Sequence, residues 1–114
     1  MNAITDKTGP IKFAKVDTAA TATLIAAVTG KALRVLHAYL HVTTVAGTIK
    51  FQSDNGVTQT DLTGAIPFAA DGAFNPGWSP AGYWETVSGE SLKAVLTSTG
   101  QVSGFLVYQE VLAG

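Results

Sequence analysis

Alternating apolar and polar residues predict short β-strands over most of the chain. In the segment 48–53, Ile49 and Phe51 alternate with Lys50 and Gln52, so one face of the segment is apolar and the other is polar. This period of two is that of a strand with one buried face. Similar patterns predict further strands at residues 11–16, 57–62, 83–87, 92–97 and 102–111.

The segment 32–45 fits two different periods. Its β-branched end, 42–45, favours a strand, and no capping box precedes the segment to begin a helix. We therefore predict a strand here. A helical stripe would contain Leu33, Leu36, His37 and Leu40, whereas a strand would place Leu36, Ala38, Leu40 and Val42 on one face and His37, Tyr39, His41 and Thr43 on the other.

Turn residues divide the chain at intervals of about ten residues. Asp54-Asn55-Gly56 predicts a hairpin, because Asn-Gly accepts the positive φ angles of a type I′ turn. The segment 65–68 contains a proline, which predicts an edge strand or a loop. The segment 102–111 is apolar on both faces, which indicates a central strand or a second buried surface. A series of about eight short strands is typical of a β-sandwich or a barrel.

The chain has the length of a single domain with one core. Residues 11–114 are predicted to form an all-β domain, and residues 1–10 a short N-terminal arm without a core of its own. Two interpretations of the arm stay open: a frayed tail, or an arm that becomes ordered on a neighbouring subunit. Under the second interpretation Ile4 is a candidate contact residue.

The low charge content favours a protein that associates with other surfaces. Charged residues make up 13% of the chain, whereas an average soluble domain has about 25%. Because charge is depleted at the centres of interfaces, we expect self-association or docking; the alternative is a compact, well-packed monomer. The seven basic residues are scattered and form no stripe that could follow a phosphate backbone, so we expect no nucleic-acid partner.

The sequence contains no apolar run of the ~20 residues that a membrane span needs. The first ten residues include Asp6 and Lys7 and have no apolar h-region of a signal peptide. We expect no membrane partner and a protein that is made for the cytoplasm, or that leaves it by a route other than secretion, such as lysis.

Candidate catalytic and metal-ligating groups are sparse. His37 and His41 would adjoin on a helix, but on a strand they would lie roughly 13 Å apart, too far to share one metal ion. The chain has no cysteine, no Gly-x-Ser-x-Gly elbow and no glycine-rich phosphate loop. Glu85 and Glu90 flank a predicted turn, which favours solvated hairpin ends over a glycosidase pair. We therefore expect neither enzyme activity nor a cofactor or metal.

Aromatic residues and prolines are concentrated between residues 67 and 84. Trp and Tyr are common interface anchors, and prolines pre-order a loop so that less entropy is lost on docking. The alternative is that the rings close one end of the core; we expect this of Trp84, and partial exposure of Trp78. A sugar-stacking site is less favoured, since no set of Asp, Asn and Arg flanks the rings. The aromatic residues are Phe68, Phe74, Trp78, Tyr83 and Trp84.

Four segments resemble small structural proteins of tailed bacteriophage virions, in particular capsid decoration (cement) proteins. The likeness lies in the general character and the order of these segments over most of residues 17–111, and it includes no invariant chemical motif. It is carried by the Ala-Thr-rich segment 17–23, by AVTGKALRVL at 27–36, by NPGW at 75–78 with AGYWET at 81–86, and by GFLVYQEV at 104–111.

The resemblance implies a jelly-roll-like β-sandwich that assembles as a homotrimer on the outer surface of the capsid. Its partners would be sister subunits and the major capsid protein, and its effect would be to stabilise the assembled shell. A carbohydrate- or receptor-binding module of a phage fibre or tail is the alternative. The candidate interface residues are Ile4, Ile11, Phe13, His37, Tyr39, His41, Phe74, Trp78 and Tyr83.

Overall fold

The computed structural model describes residues 8–42, 46–79, 82–97 and 101–112. Every regular element in these ranges is a β-strand, which confirms the all-β prediction. The strands are β1 Thr8–Thr18, β2 Ala22–Ile25, β3 Lys31–Val42, β4 Gly47–Asp54, β5 Gln59–Asp61, β6 Ile66–Phe68, β7 Ala73–Phe74, β8 Trp84–Glu85, β9 Ser91–Leu96 and β10 Val102–Leu112.

The strands form two antiparallel sheets packed face to face. Sheet I has the order β1-β10-β3, and both β7 and β8 pair with β3. Sheet II has the order β2-β9-β4, and both β5 and β6 pair with β4. The last strand, β10, therefore lies between the first and the third strand, which confirms the central position predicted from its two apolar faces.

The core lies between the sheets and consists of inward-facing residues at alternate strand positions. Ile49 and Phe51 of β4 are buried, as the alternation predicts. The ring of Phe51 stacks on that of Trp84 with centroids 4.7 Å apart, so Trp84 joins β8 to the opposite sheet and fills the core, as expected. Further buried members of the core are Val16, Ile25, Leu33, Val35, Ala38, Leu40, Val42, Phe68, Leu92, Ala94, Val102 and Leu106.

The ambiguous segment at 32–45 is a strand, β3, up to Val42; residues 43–45 lie outside the described part of the chain. A shift in the pairing of β3 with β10 leaves Leu36 as an extra residue between Val35 and His37. A β-bulge of this kind displaces the alternation by one position. Both Val35 and Leu36 are consequently buried, and the resulting spacing of apolar residues resembles a helical stripe.

The hairpin predicted at Asn55-Gly56 is present, but the predicted type I′ turn is wrong. Asp54 pairs with Gln59, which leaves a loop of four residues between β4 and β5. A type I′ turn needs two central residues with positive φ, whereas here Gly56 alone has one, at +93°. The side chain of Asn55 holds the loop instead, because its Oδ1 accepts hydrogen bonds from the backbone N–H groups of Val57 and Thr58 at 2.8 and 2.7 Å.

Further strand boundaries differ from the prediction, and the return strand predicted at 57–62 is limited to Gln59–Asp61. Residues 8–10, predicted as part of the arm, belong to β1, because the long strand β10 offers backbone partners as far as Val111. Residues 1–7, including Ile4, lie outside the described residues. The strand predicted at 83–87 is limited to Trp84–Glu85, and the proline-containing strand β6 lies at the edge of sheet II beside β4.

Gly104 allows β10 to approach β3 closely. Its φ is +151°, and a Cβ placed there would lie 1.8 Å from the carbonyl oxygen of Tyr39. We expect Gly104→Ala to lower the free energy of unfolding by about 2–4 kcal/mol, because both the backbone angle and the ladder must shift. Gly64→Ala is the matched control, since nothing lies within 4 Å of its Cβ position and its φ is ordinary. Urea denaturation of both variants measures the difference, and equal stabilities would contradict the prediction.

Thr86 supports the junction of β8 with β3. Its buried Oγ1 accepts a hydrogen bond from the backbone N–H of Leu33 at 2.9 Å. Thr86→Val keeps the shape but removes this acceptor, so we expect a loss of about 1–3 kcal/mol in the free energy of unfolding. The exposed Thr60 on β5 provides a control, and Thr60→Val should change stability by less than about 0.5 kcal/mol. Chemical denaturation tests both; an unchanged midpoint for Thr86→Val would oppose this role.

Candidate functional site

The outer face of sheet I collects most of the interface residues predicted from the sequence. Residues of β1, β10 and β3 that point away from the core lie opposite one another in three rows, here called the aromatic face. The upper row is Phe13, Val107 and His37; the middle row is Lys15, Phe105 and Tyr39; the lower row is Asp17, Ser103 and His41.

The apolar side chains of this face are most exposed on the edge strand β1. Phe13 is 75% exposed and Ile11, the next outward residue toward the N-terminus, is 50% exposed. Val107, in the middle of the upper row, is only 5% exposed because neighbours on both strands cover it. Large exposed apolar groups that adjoin one another are typical of an interaction surface, whereas single ones are common on any protein.

Phe105 organises the rings at the centre of the face. The imidazole of His37 meets it edge to face, with centroids 5.5 Å apart, and the ring of Tyr39 stacks on it at 6.0 Å. Phe105 and Val107 were not among the candidates. The apolar character of both faces of the closing strand was the signal that could have identified them, because a central strand buries one face in the core and presents the other.

The loop between β7 and β8 borders the face along β3. The backbone N–H of Ser79 donates to the carbonyl oxygen of Leu36 at 2.8 Å, and Nε2 of His37 lies 3.1 Å from Oδ1 of Asn75. Trp78 is 50% exposed, as the sequence predicts. The loop therefore holds Trp78, the residue before Ser79, close to β3.

Two other predicted interface residues from this region have partly structural roles. The hydroxyl of Tyr83 donates to the carbonyl oxygen of Pro76 at 2.7 Å, so its half-exposed ring also holds the loop. Phe74 packs against the core, with its ring edge to face with Phe68 at 6.2 Å. Phe74 thus belongs to the core and not to the aromatic face, because β7 turns its side chain toward sheet II.

The charges of the aromatic face are balanced. Lys15 and Asp17 stand in adjacent rows of β1, and the side chain of Gln101 donates a hydrogen bond to Asp17. Above the upper row, Nε of Arg34 donates to Oε1 of Glu85 at 2.8 Å across the β3–β8 pair. The face therefore offers no field of one sign that would select a strongly charged partner.

The described residues contain no group of three or more metal-ligating side chains. His37 and His41 lie on the same face in different rows, opposite Val107 and Ser103. A shallow depression of about 180 Å³ beside β8 is lined by the Arg34–Glu85 ion pair, Gly82 and the neighbouring rings. Its two charged side chains are paired with each other.

Among the residues that the structure describes, no helix is long and apolar enough to cross a membrane. Comparisons of the chain with protein-family profiles, with curated proteins and with solved structures find no match. Function is therefore inferred from the residues and the geometry of the chain itself.

An acid-sensitive group lies away from this face, in the β4–β5 hairpin. Hydrogen bonds from the side chain of Gln59 and from the N–H of Gly56 hold the pKa of Asp54 below its usual value. A carboxylate with a lowered pKa stabilises the folded state above its unfolded pKa, and this contribution is lost as the pH falls through the folded pKa.

We therefore expect the hairpin loop to loosen below about pH 4, near and under the usual pKa of aspartate. Amide exchange of Gly56, followed by NMR, should accelerate as the pH is lowered through this window, relative to its intrinsic rate. Asp54→Asn should remove most of the pH dependence of this protection. The same change at the exposed turn residue Asp71 should leave it intact, and an identical response of both variants would argue against Asp54 as the cause.

Proposed function

We propose that this protein is a bacteriophage capsid decoration protein, which binds the outer surface of the assembled head as a homotrimer and contacts the major capsid protein. The observation that carries the proposal is the aromatic face: a charge-balanced set of rings and apolar side chains on three strands, most exposed on β1. Such a surface fits protein–protein contact, since aromatic residues are enriched and charges are depleted at interface centres. The sequence resemblance to decoration proteins supports the same conclusion.

The order of the strands supports a jelly-roll fold for this proposal. β5 and β6 both pair with β4, and β7 and β8 both pair with β3, so each short pair is one interrupted strand. Numbered in this way, the described residues form eight strands, with the sheet orders 1-8-3-6 and 2-7-4-5. Two four-stranded sheets are consistent with a jelly roll, an eight-stranded double-sheet fold that occurs in viral capsid domains.

Stabilisation of a shell by such a protein is a case of thermodynamic linkage. A ligand that binds the assembled shell and not its dissociated subunits shifts the equilibrium toward assembly. At a free concentration 100 times the Kd, each occupied site contributes about 2.7 kcal/mol. No bond is made or broken in this mechanism, so it needs no catalytic residue.

The test is to add the purified protein to phage capsids that lack a decoration protein. We expect saturable binding and a rise in the temperature at which the shells are disrupted, measured by calorimetry or by release of packaged DNA. The dissociated major capsid protein serves as the control and should bind far more weakly. Absence of binding to several such shells, from phages of the same host as the source of the chain, would reject the proposal.

Trp78 favours a second candidate, a carbohydrate- or receptor-binding module of a phage fibre or tail. A half-exposed indole can stack on a sugar ring. Binding to a glycan array that is lost in Trp78→Ala, and kept in Val57→Ala, would support this module over the decoration protein. Val57 is exposed in the β4–β5 loop and is therefore a suitable control.

A further inference from the structure

Rotation about an axis parallel to the strands of sheet I carries a residue around the axis but not along it. Two copies of the chain related by such a rotation therefore keep their rows at the same height. If the axis runs in front of β10, the β1 half of one aromatic face meets the β3 half of the next. Residues of the same row then face each other, whether the axis is two-fold or three-fold.

We infer that copies of this chain associate through their aromatic faces, around an axis that runs along β10, with β1 of one copy against β3 of the next. The inference deepens the proposed function and rests on it only for the number of copies. The rows bring together Phe13 with His37, Lys15 with Tyr39, and Asp17 with His41 of the neighbouring copy.

Each of these three pairs is chemically favourable. The upper row sets an aromatic ring against an imidazole, and the middle row sets an ammonium group over a phenol ring, a cation–π pair. The lower row sets a carboxylate against an imidazole, which can donate a hydrogen bond to it in either protonation state. A displacement by one row would set Lys15 against the imidazole of His37 and Asp17 against the ring of Tyr39, and would leave Phe13 beyond the upper row, so all three pairs are lost.

The relief of the face agrees with this arrangement. Phe13 on β1 projects furthest, with 75% of its surface exposed, whereas His37 and Tyr39 on β3 are half-buried and form a lower surface. In each contact the exposed side chains of β1 thus meet the half-buried side chains of β3. Phe105, on the central strand, comes closest to the axis and faces its own equivalent there.

Charge complementarity favours a second copy of the chain as the occupant. The face carries Lys15 and Asp17, one charge of each sign, while Arg34 and Glu85 already neutralise each other. A basic or an acidic partner would meet a like charge in one of these rows, but another copy presents a matching ring or imidazole to each. Rotation about a single axis also closes the assembly, so the rings are buried without open-ended growth.

The experiment compares Phe13→Ser with Val57→Ser by sedimentation equilibrium. Both side chains are exposed, at 75% and 88%, but Val57 lies in the β4–β5 loop, away from the face. We expect wild type and Val57→Ser to form the same oligomer, and Phe13→Ser to require at least tenfold higher concentration to do so. At lower concentration it should sediment as the 11.8 kDa monomer. Circular dichroism confirms that each variant is folded.

A charge exchange then tests the row alignment. Asp17→Lys should weaken association at least tenfold, and Asp17→Lys with His41→Glu should recover most of it, because the two residues share a row. Asp17→Lys with His37→Glu has the same net charge but mismatched rows, and should not recover. Equal recovery by both double variants, or recovery by neither, would overturn the alignment.

The outcomes separate this inference from the proposed function. A wild-type protein that stays monomeric, or Phe13→Ser that associates as well as wild type, overturns the inference; binding of the protein to capsids would still support decoration. Conversely, an oligomer that depends on Phe13 and on the row pairing supports the inference even if no shell is bound, and in that case the decoration proposal fails alone.

Discussion

The antiparallel ladder of β1, β10 and β3 is the constraint on which the rest of this structure depends. β10 is hydrogen-bonded along its length on both sides, so the first and third strands of the chain are held parallel to each other by the last. The inner face of this ladder supplies much of the core, including Val16, Leu40 and Leu106. Its outer face carries the three rows. The core and the candidate site therefore lie on the two faces of the same hydrogen-bonded strands.

One irregularity in the ladder decides which side chains reach the outer face. The bulge at Leu36 moves the alternation of β3 by one position, so that His37, Tyr39 and His41 point outward beyond it. If β3 alternated regularly through Leu36, these polar and aromatic groups would face the core, where burial without partners is costly. Gly104 allows β10 to stay close to β3 beyond the bulge, since any side chain at this position would meet the backbone of Tyr39.

Much of the fold was predictable from local pattern, and the failures have physical reasons. The period-two alternation around Ile49 and Phe51 identified β4, and the apolar closing segment identified β10 as central. The turn after Asp54 was misjudged because Asn55 uses its side chain to satisfy backbone donors, which the Asn-Gly motif does not reveal. The concentration of aromatic residues between 67 and 84 does not tell which side of a two-residue strand points inward, so it could not show that Phe74 packs against the core.

The sequence by itself determined the all-β class, the central apolar strand, the exposure of Trp78 and a surface low in charge, because each follows from the local order of residue types. Only the tertiary structure decided which distant residues share a row. Lys15 on β1 and Tyr39 on β3 share a row because β10 lies between these two strands and pairs with both. The register of that pairing is set by long-range hydrogen bonds and by bulges. That register determines which residues of β1, β10 and β3 form each row of the aromatic face.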